Sequence, residues 1–188
     1  MRLNSPQWPI LSLLFAAAIA LPSAAAAQQR PPAANPAAQA TLLGQFGDWG
    51  AYTASPGGRK VCFALSKPTA SQDNPSNRRT AANIVYLFVS TRPDEKVKDE
   101  VSMLVTGYGF KSNTEAAVAV GTANFAMYTQ NDGAWVKNAP EEAQLVDAMR
   151  KGADLVIKAT TSKGTKTTDT FSLKGISQAL DRAAEECK

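Results

Sequence analysis

The sequence predicts a mainly β fold, an immunoglobulin-like antiparallel β-sandwich with two short helices, one of them C-terminal. Apolar residues alternate with polar ones over short runs rich in Val, Ile, Thr and aromatic residues, the pattern of strands that bury one face. Gly, Pro, Asn and Asp punctuate these runs about every 8 to 12 residues. Only two segments carry the wider apolar spacing of a helix. A partly open barrel would use the same strands, and no internal repeat points to a solenoid or propeller.

The elements follow in order. Met1–Trp8 carries one charge, Arg2, and precedes the 12-residue apolar run Ile10–Leu21, which leads into Pro22, Ser23 and four alanines. The run is shorter than the ~20 apolar residues of a membrane-spanning helix, and its flanks are those of a secretory signal. Residues 1–27 are therefore expected to be a signal peptide cleaved after Ala27, which sends the chain to the periplasm or outer membrane and leaves no transmembrane span. No cysteine stands beside the run to take a lipid anchor. Residues 28–44 are rich in Pro, Ala and Gln and poor in aromatics, as a flexible leader would be. Residues 45–188 form the folded domain, large enough to bury its own core.

Within that domain, Phe46–Ala54 and Lys60–Ser66 read as a hairpin joined at Ser55-Pro56-Gly57-Gly58, where proline fixes φ and glycine permits positive φ. Lys67–Ala82 is polar and aperiodic and reads as a long exposed loop, a class that often carries function. Strands are expected at Asn83–Thr91, Glu100–Thr106, Glu115–Val120, Ala123–Thr129 and Ala134–Val136. Asn138–Lys151 reads as a helix because Asn138 stands three residues before Glu141 in a capping box, Pro140 lies in the first turn and Gly152 at the stop. Strands Asp154–Thr160 and Thr168–Leu173 follow. The stripe Ile176, Ala179, Leu180, Ala183, Ala184 and Cys187 predicts a closing helix. Trp49, Trp135 and Phe171 are expected in the core.

Composition excludes several kinds of chemistry. The 188 residues hold 20 Lys and Arg against 16 Asp and Glu, a net charge of +4 that falls to +3 without Arg2, too little to imply nucleic acid. There is no histidine, which removes Ser-His-Asp and Cys-His catalysis and His-ligated metals, and no cofactor is implied. Two cysteines, Cys62 and Cys187, are too few for a Cys-only metal site. In an exported chain they are expected to bond to each other, two free thiols or an intermolecular bridge being the competing readings. The bond would tie the closing helix to an early strand, with Cys62 on the core side and Val61 and Phe63 on the other.

Gly107-Tyr108-Gly109-Phe110-Lys111-Ser112 half-matches a phosphate loop, but it lies between two strands and lacks the third glycine and the helix start, so it reads as a β-turn. No Ser-x-x-Lys offers a Ser-Lys pair. The carboxylate pairs Asp94-Glu95, Asp99-Glu100, Glu141-Glu142 and Glu185-Glu186 leave one enzymatic alternative, a periplasmic hydrolase cleaving glycan between two acids. Adjacent surface acids are, however, ordinary solvating groups. The recognition candidates are Arg78 and Arg79 in the long loop and Lys158, Lys163, Lys166 and Lys174 near the C-terminal strands. Such cations suit lipopolysaccharide phosphates, acidic lipid or an acidic protein, and they also serve as plain solvating charge.

Phe46-Gly47-Asp48-Trp49, Val61-Cys62, Asp132-Gly133-Ala134-Trp135, Lys163-Gly164-Thr165 and the run from Thr168 to Gly175 leading to Ala179-Leu180 together resemble the invasion-associated locus B family of exported bacterial proteins. The resemblance covers Phe46–Cys187. It implies a periplasmic or outer-membrane-associated β-sandwich with no established catalytic site, linked in some pathogens to invasion of host cells. Tyr52 and Thr53 stand where many members carry a cysteine, which places the chain with the single-disulfide members, and Ile176 replaces a frequent aromatic. The expected function is a non-enzymatic envelope protein that binds a partner, an envelope or host protein, in invasion or envelope maintenance. The residues name neither the partner nor the oligomeric state.

Overall fold

The computed structural model describes residues 40–188; the expected signal peptide and residues 28–39 of the leader lie outside the described residues. The chain runs β1 (Thr41–Phe46), β2 (Trp49–Ala54), β3 (Val61–Ser66), β4 (Ala70–Asn74), β5 (Val85–Arg92), β6 (Val97–Val105), β7 (Glu115–Val120), β8 (Ala123–Gln130), β9 (Gly133–Val136), α1 (Ala139–Lys151), β10 (Asp154–Thr160), β11 (Lys166–Ser172) and α2 (Ile176–Glu186). Each expected strand and helix is present, except that the run Phe46–Ala54 is split by a turn at Gly47-Asp48 between the end of β1 and β2. The Asn138 side chain accepts the Glu141 N–H at 3.0 Å, so the N-cap forms as read; the return bond of a capping box is replaced by one between side chains, the Asn138 amide donating to the Glu141 carboxylate at 2.9 Å.

All eleven strands belong to one antiparallel sheet, in the order β1-β2-β3-β5-β6-β9-β8-β7-β10-β11-β4. This corrects the two-sheet sandwich. Alternation reveals which face of a strand is buried but not how strands divide between sheets, and here β6, β9, β8, β7 and β10 pair without a break. The sheet must curl. Only Lys67, Pro68 and Thr69 join β3 to β4, a link that reaches at most about 14 Å. Yet β4 lies eight places from β3 in the strand order, which on a flat sheet would be ~38 Å. The β11–β4 edge therefore comes round toward β2–β3, and the curl is left unclosed because β1 and β4 form no ladder.

Two strands were hidden in segments read otherwise. β1 begins inside the expected leader, and β4 lies inside the expected irregular loop Lys67–Ala82. Neither shows alternation, since both are edge strands with mostly exposed residues. Their pairing partners hold them: β1 on β2, and β4 on β11 from Ala70↔Thr170 to Asn74↔Lys166.

One face of the curled sheet encloses a single core that contains Trp49, Leu87, Met103, Met127, Ile157 and Phe171, capped by Leu145 and Met149 of α1 and Ile176 and Ala179 of α2. Trp135 is not in it. Ala134 and Val136 take the core-facing positions of β9, so the indole between them points outward and is only half-buried. Cys62 and Cys187 form a disulfide with Cα atoms 5.9 Å apart, pinning the end of α2 to β3. Cys62 is fully buried, and Phe63 stacks on Tyr52 of the opposite face, 5.4 Å between ring centroids. Among the described residues no helix is long and apolar enough to cross a membrane.

Candidate functional site

Three turns meet at one end of the sheet. The first follows β4, where Asp73 organises the chain: its Oδ2 accepts the backbone N–H groups of Arg78 (3.2 Å) and Arg79 (2.8 Å), and its Oδ1 accepts Arg79 Nε at 2.6 Å. The rest of the Arg79 guanidinium donates to both oxygens of Asp169, at 2.7 and 3.0 Å, and to the Gln72 carbonyl at 3.1 Å. Asp169 lies in β11 with no exposure and also accepts from Ser71 Oγ at 2.6 Å. Burial works against the Arg79 charge, but the bonds to Asp169 and Asp73 outweigh it and hold the Arg79 pKa above its ordinary value. An exposed arginine was expected here. A fully engaged one is found.

The second turn is the glycine-containing segment after β6. Gly107 has φ +76°, and a Cβ there would stand 2.5 Å from the Asn83 side-chain nitrogen, which donates to the Thr106 carbonyl at 3.1 Å. Tyr108 follows with its hydroxyl buried and without a hydrogen-bond partner. Burial chiefly pushes the phenol up to about 12, against the pull of Arg79. The third turn joins β10 to β11. It is locked by Thr161 N–H to the Thr165 carbonyl and Gly164 N–H to the Thr161 carbonyl, both 2.8 Å, and is tied to the second by Ser162 N–H to the Gly109 carbonyl at 2.8 Å.

Between these turns lies a cleft of about 560 Å³. Arg78, Arg79 and Lys163 line it with Asn83, Tyr108 and Ser162, and no carboxylate does. Arg78 and Lys163 are both exposed where they line it. Among the described residues neither has a carboxylate within ion-pair distance. The other three candidate cations lie elsewhere. Lys158 and Lys166 line a shallower neighbouring depression with Asp73 and Glu115. Lys174 lies past the far end of β11, against Gly47.

A second surface was not anticipated. On the outward face of the sheet, Phe63, Tyr86 and Phe88 border an apolar groove of about 400 Å³ with Ser90 and Ser102 among its lining. Farther along that face Trp135 stacks on Tyr128, 5.7 Å between centroids. The strict alternation in Ala134-Trp135-Val136 was the signal that could have placed the indole there. Two acids line this groove, Glu100 and Asp132. Both Glu100 oxygens are held by Arg92, at 3.0 and 2.9 Å, and Asp132 lies level with Val105 through its carbonyl. Five residues of strand put their backbones roughly 17 Å apart, against the ~5 to 10 Å that glycoside hydrolysis needs. Among the described residues no cluster of three or more acids or cysteines could hold a metal ion.

A mainly antiparallel protein, stapled once by a disulfide in the manner of chains that fold in an oxidising compartment, is the class these features define. The sequence model of the family described as invasion associated locus B (IalB) protein matches residues 49–184, and the chain belongs to that family. No curated protein and no solved structure matches the chain. The family is envelope-associated and is not a known enzyme family.

Proposed function

We propose that the chain is an exported, non-enzymatic envelope protein that acts by binding a partner in the periplasm or at the outer membrane, through the cleft between the three turns. The observation that carries this reading is convergence: Arg78 and Lys163 come from turns far apart in the sequence and line one concave surface whose lining holds no carboxylate. Loops positioned by a rigid sheet are the usual carriers of recognition. The Asp73–Arg79–Asp169 linkage is such a support, because it fixes the backbone that presents Arg78.

The test is photo-crosslinking of the mature protein, with a reactive residue in place of Ser162, in envelope extracts of the source organism. A discrete adduct is expected that is lost in Arg78→Glu and Lys163→Glu. An adduct indifferent to both but lost in Trp135→Ala would move the binding site to the outward aromatic face. A role in invasion and one in envelope maintenance separate in a deletion strain: the first lowers uptake into host cells, and the second raises detergent sensitivity in culture.

A further inference from the structure

We infer that the cleft recognises a phosphate monoester, carried on a lipid or sugar headgroup or free in solution; this rests on the reading of the cleft as the binding site. The two lining cations without ion pairs are Arg78, after β4, and Lys163, in the β10–β11 turn, and Ser162 adds a hydroxyl next to Lys163 in the chain. Two unpaired cations and a hydroxyl in one cleft select the charge and oxygen count of the anion. A carboxylate presents two oxygens along one edge, and a phosphodiester likewise has two free oxygens. A monoester presents three, and up to two negative charges, enough to take the planar fork of Arg78 as well as Lys163 and Ser162.

The cleft is also prepared for its guest. The Arg78 backbone is held by Asp73 and the Lys163 turn by its own hydrogen bonds and by Gly109, so little backbone must be ordered on binding. The nearest acids, Asp73 and Asp169, lie outside the lining, each bonded to Arg79. Recognition is by side chains. Gly107 and Tyr108 contribute a wall and a glycine that lets Asn83 approach, while the Phe110 and Lys111 N–H groups donate to the Asn131 and Thr160 carbonyls rather than forming the ring of backbone donors of a phosphate loop.

The experiment is an amide NMR titration of the mature chain with inorganic phosphate and with acetate, followed by sedimentation with vesicles of two compositions at matched charge. One carries phosphatidic acid, a monoester, and the other phosphatidylglycerol, a diester. Phosphate is expected to shift the amides of Arg78, Lys163 and Gly164, with acetate at least tenfold weaker. Arg78→Gln/Lys163→Gln should weaken phosphate binding at least tenfold, and Lys174→Gln, the same charge change at the far end of β11, should leave it unchanged. Preference for phosphatidic acid vesicles over free phosphate assigns a headgroup, and the reverse a soluble ligand. Phosphate no stronger than acetate, phosphatidylglycerol vesicles bound as strongly as phosphatidic acid vesicles and more strongly than free phosphate, or shifts spread over Lys158, Lys166 and Lys174 and insensitive to the double variant, would overturn the inference. If phosphate fails while crosslinking still depends on Arg78 and Lys163, the chemistry is wrong and the site stands; if both are indifferent, the site falls too.

Discussion

The indole N–H of Trp49 donates to the Ser172 carbonyl at 2.9 Å, joining residues 123 apart in the chain. The bond crosses the seam where the curled sheet fails to close. Beside it, Asp48 N–H donates to the Lys174 carbonyl at 3.0 Å. Gly47 and Gly175 make the approach possible: both have positive φ, and a Cβ on Gly175 would stand 1.9 Å from the Phe46 carbonyl oxygen. Two motifs that carried the family resemblance, Phe46–Trp49 and Ser172–Gly175, are thus the two sides of one structural clasp. They explain the fold rather than a ligand.

Substitutions at the clasp should act in a fixed order. Trp49→Phe keeps most of the buried apolar area but orphans the Ser172 carbonyl, for a loss of ~1 to 3 kcal/mol. Gly175→Ala must displace the Phe46 backbone and also strains φ at +94°, so it should cost more. Urea unfolding followed by circular dichroism gives both values, and a Gly175→Ala protein as stable as wild type would show that the clasp is not formed.

Arg79 and Asp169 should be interdependent. Arg79→Met leaves two largely buried carboxylates without their cation, and Asp169→Leu leaves the guanidinium with only Asp73. Removing one member of a buried pair typically costs ~3 to 5 kcal/mol, whereas replacing both sides with apolar groups costs less than the sum. A double-mutant cycle on the pair checks this, strict additivity being the outcome that refutes it. Arg79→Met should also weaken any cleft ligand, because the Arg79 side chain lines the cleft and fixes Asp73, whose Oδ2 holds the Arg78 N–H.

These results mark what the sequence made legible. The strands with a buried face, both helices, the Asn138 cap and the cysteine register were legible, because each is a local pattern whose partner is a neighbouring residue or simply the core. β4 did not, because Ala70-Ser71-Gln72-Asp73-Asn74 has no alternation and exists as a strand through its ladder to β11. The curl of one unclosed sheet was left undecided between a sandwich and a partly open barrel, being fixed by a three-residue link between strands eight places apart. In the cleft, Arg78 and Lys163 were visible as charge, but their meeting was not. Arg79 was misjudged as exposed because its partner Asp169 lies 90 residues away.

The disulfide carries a prediction about order of unfolding. Cys187→Ser should lower stability by ~2 to 5 kcal/mol, since the bond closes a loop spanning 125 residues. The loss should appear first in α2, whose end the bond pins to β3, leaving Lys60 with Glu186 as a surface tie. Hydrogen exchange would show faster exchange in residues 176–187 than in β5 and β6 of the same variant. Uniform acceleration across the domain would mean that α2 does not fray independently.

Glu142 supplies the pH dependence. It lies in the first turn of α1, where burial raises its pKa above the ordinary carboxylate value, Glu100 adds repulsion and the Val101 N–H, 3.3 Å from Oε1, pulls the other way. Because the folded pKa is the higher one, the folded state holds the proton more tightly. The ionised form therefore costs stability, a cost absent below the unfolded value of ~4.3 that grows as pH rises through the folded value. Glu142→Gln removes the charge and keeps an oxygen for Val101. It should melt higher than wild type at pH 7, with the difference shrinking to nothing as the pH falls below about 4. Melting curves of the two proteins across that range test the sign directly: a Gln variant less stable at pH 7 would mean that the Val101 bond and Arg92 hold the carboxylate more strongly than burial opposes it.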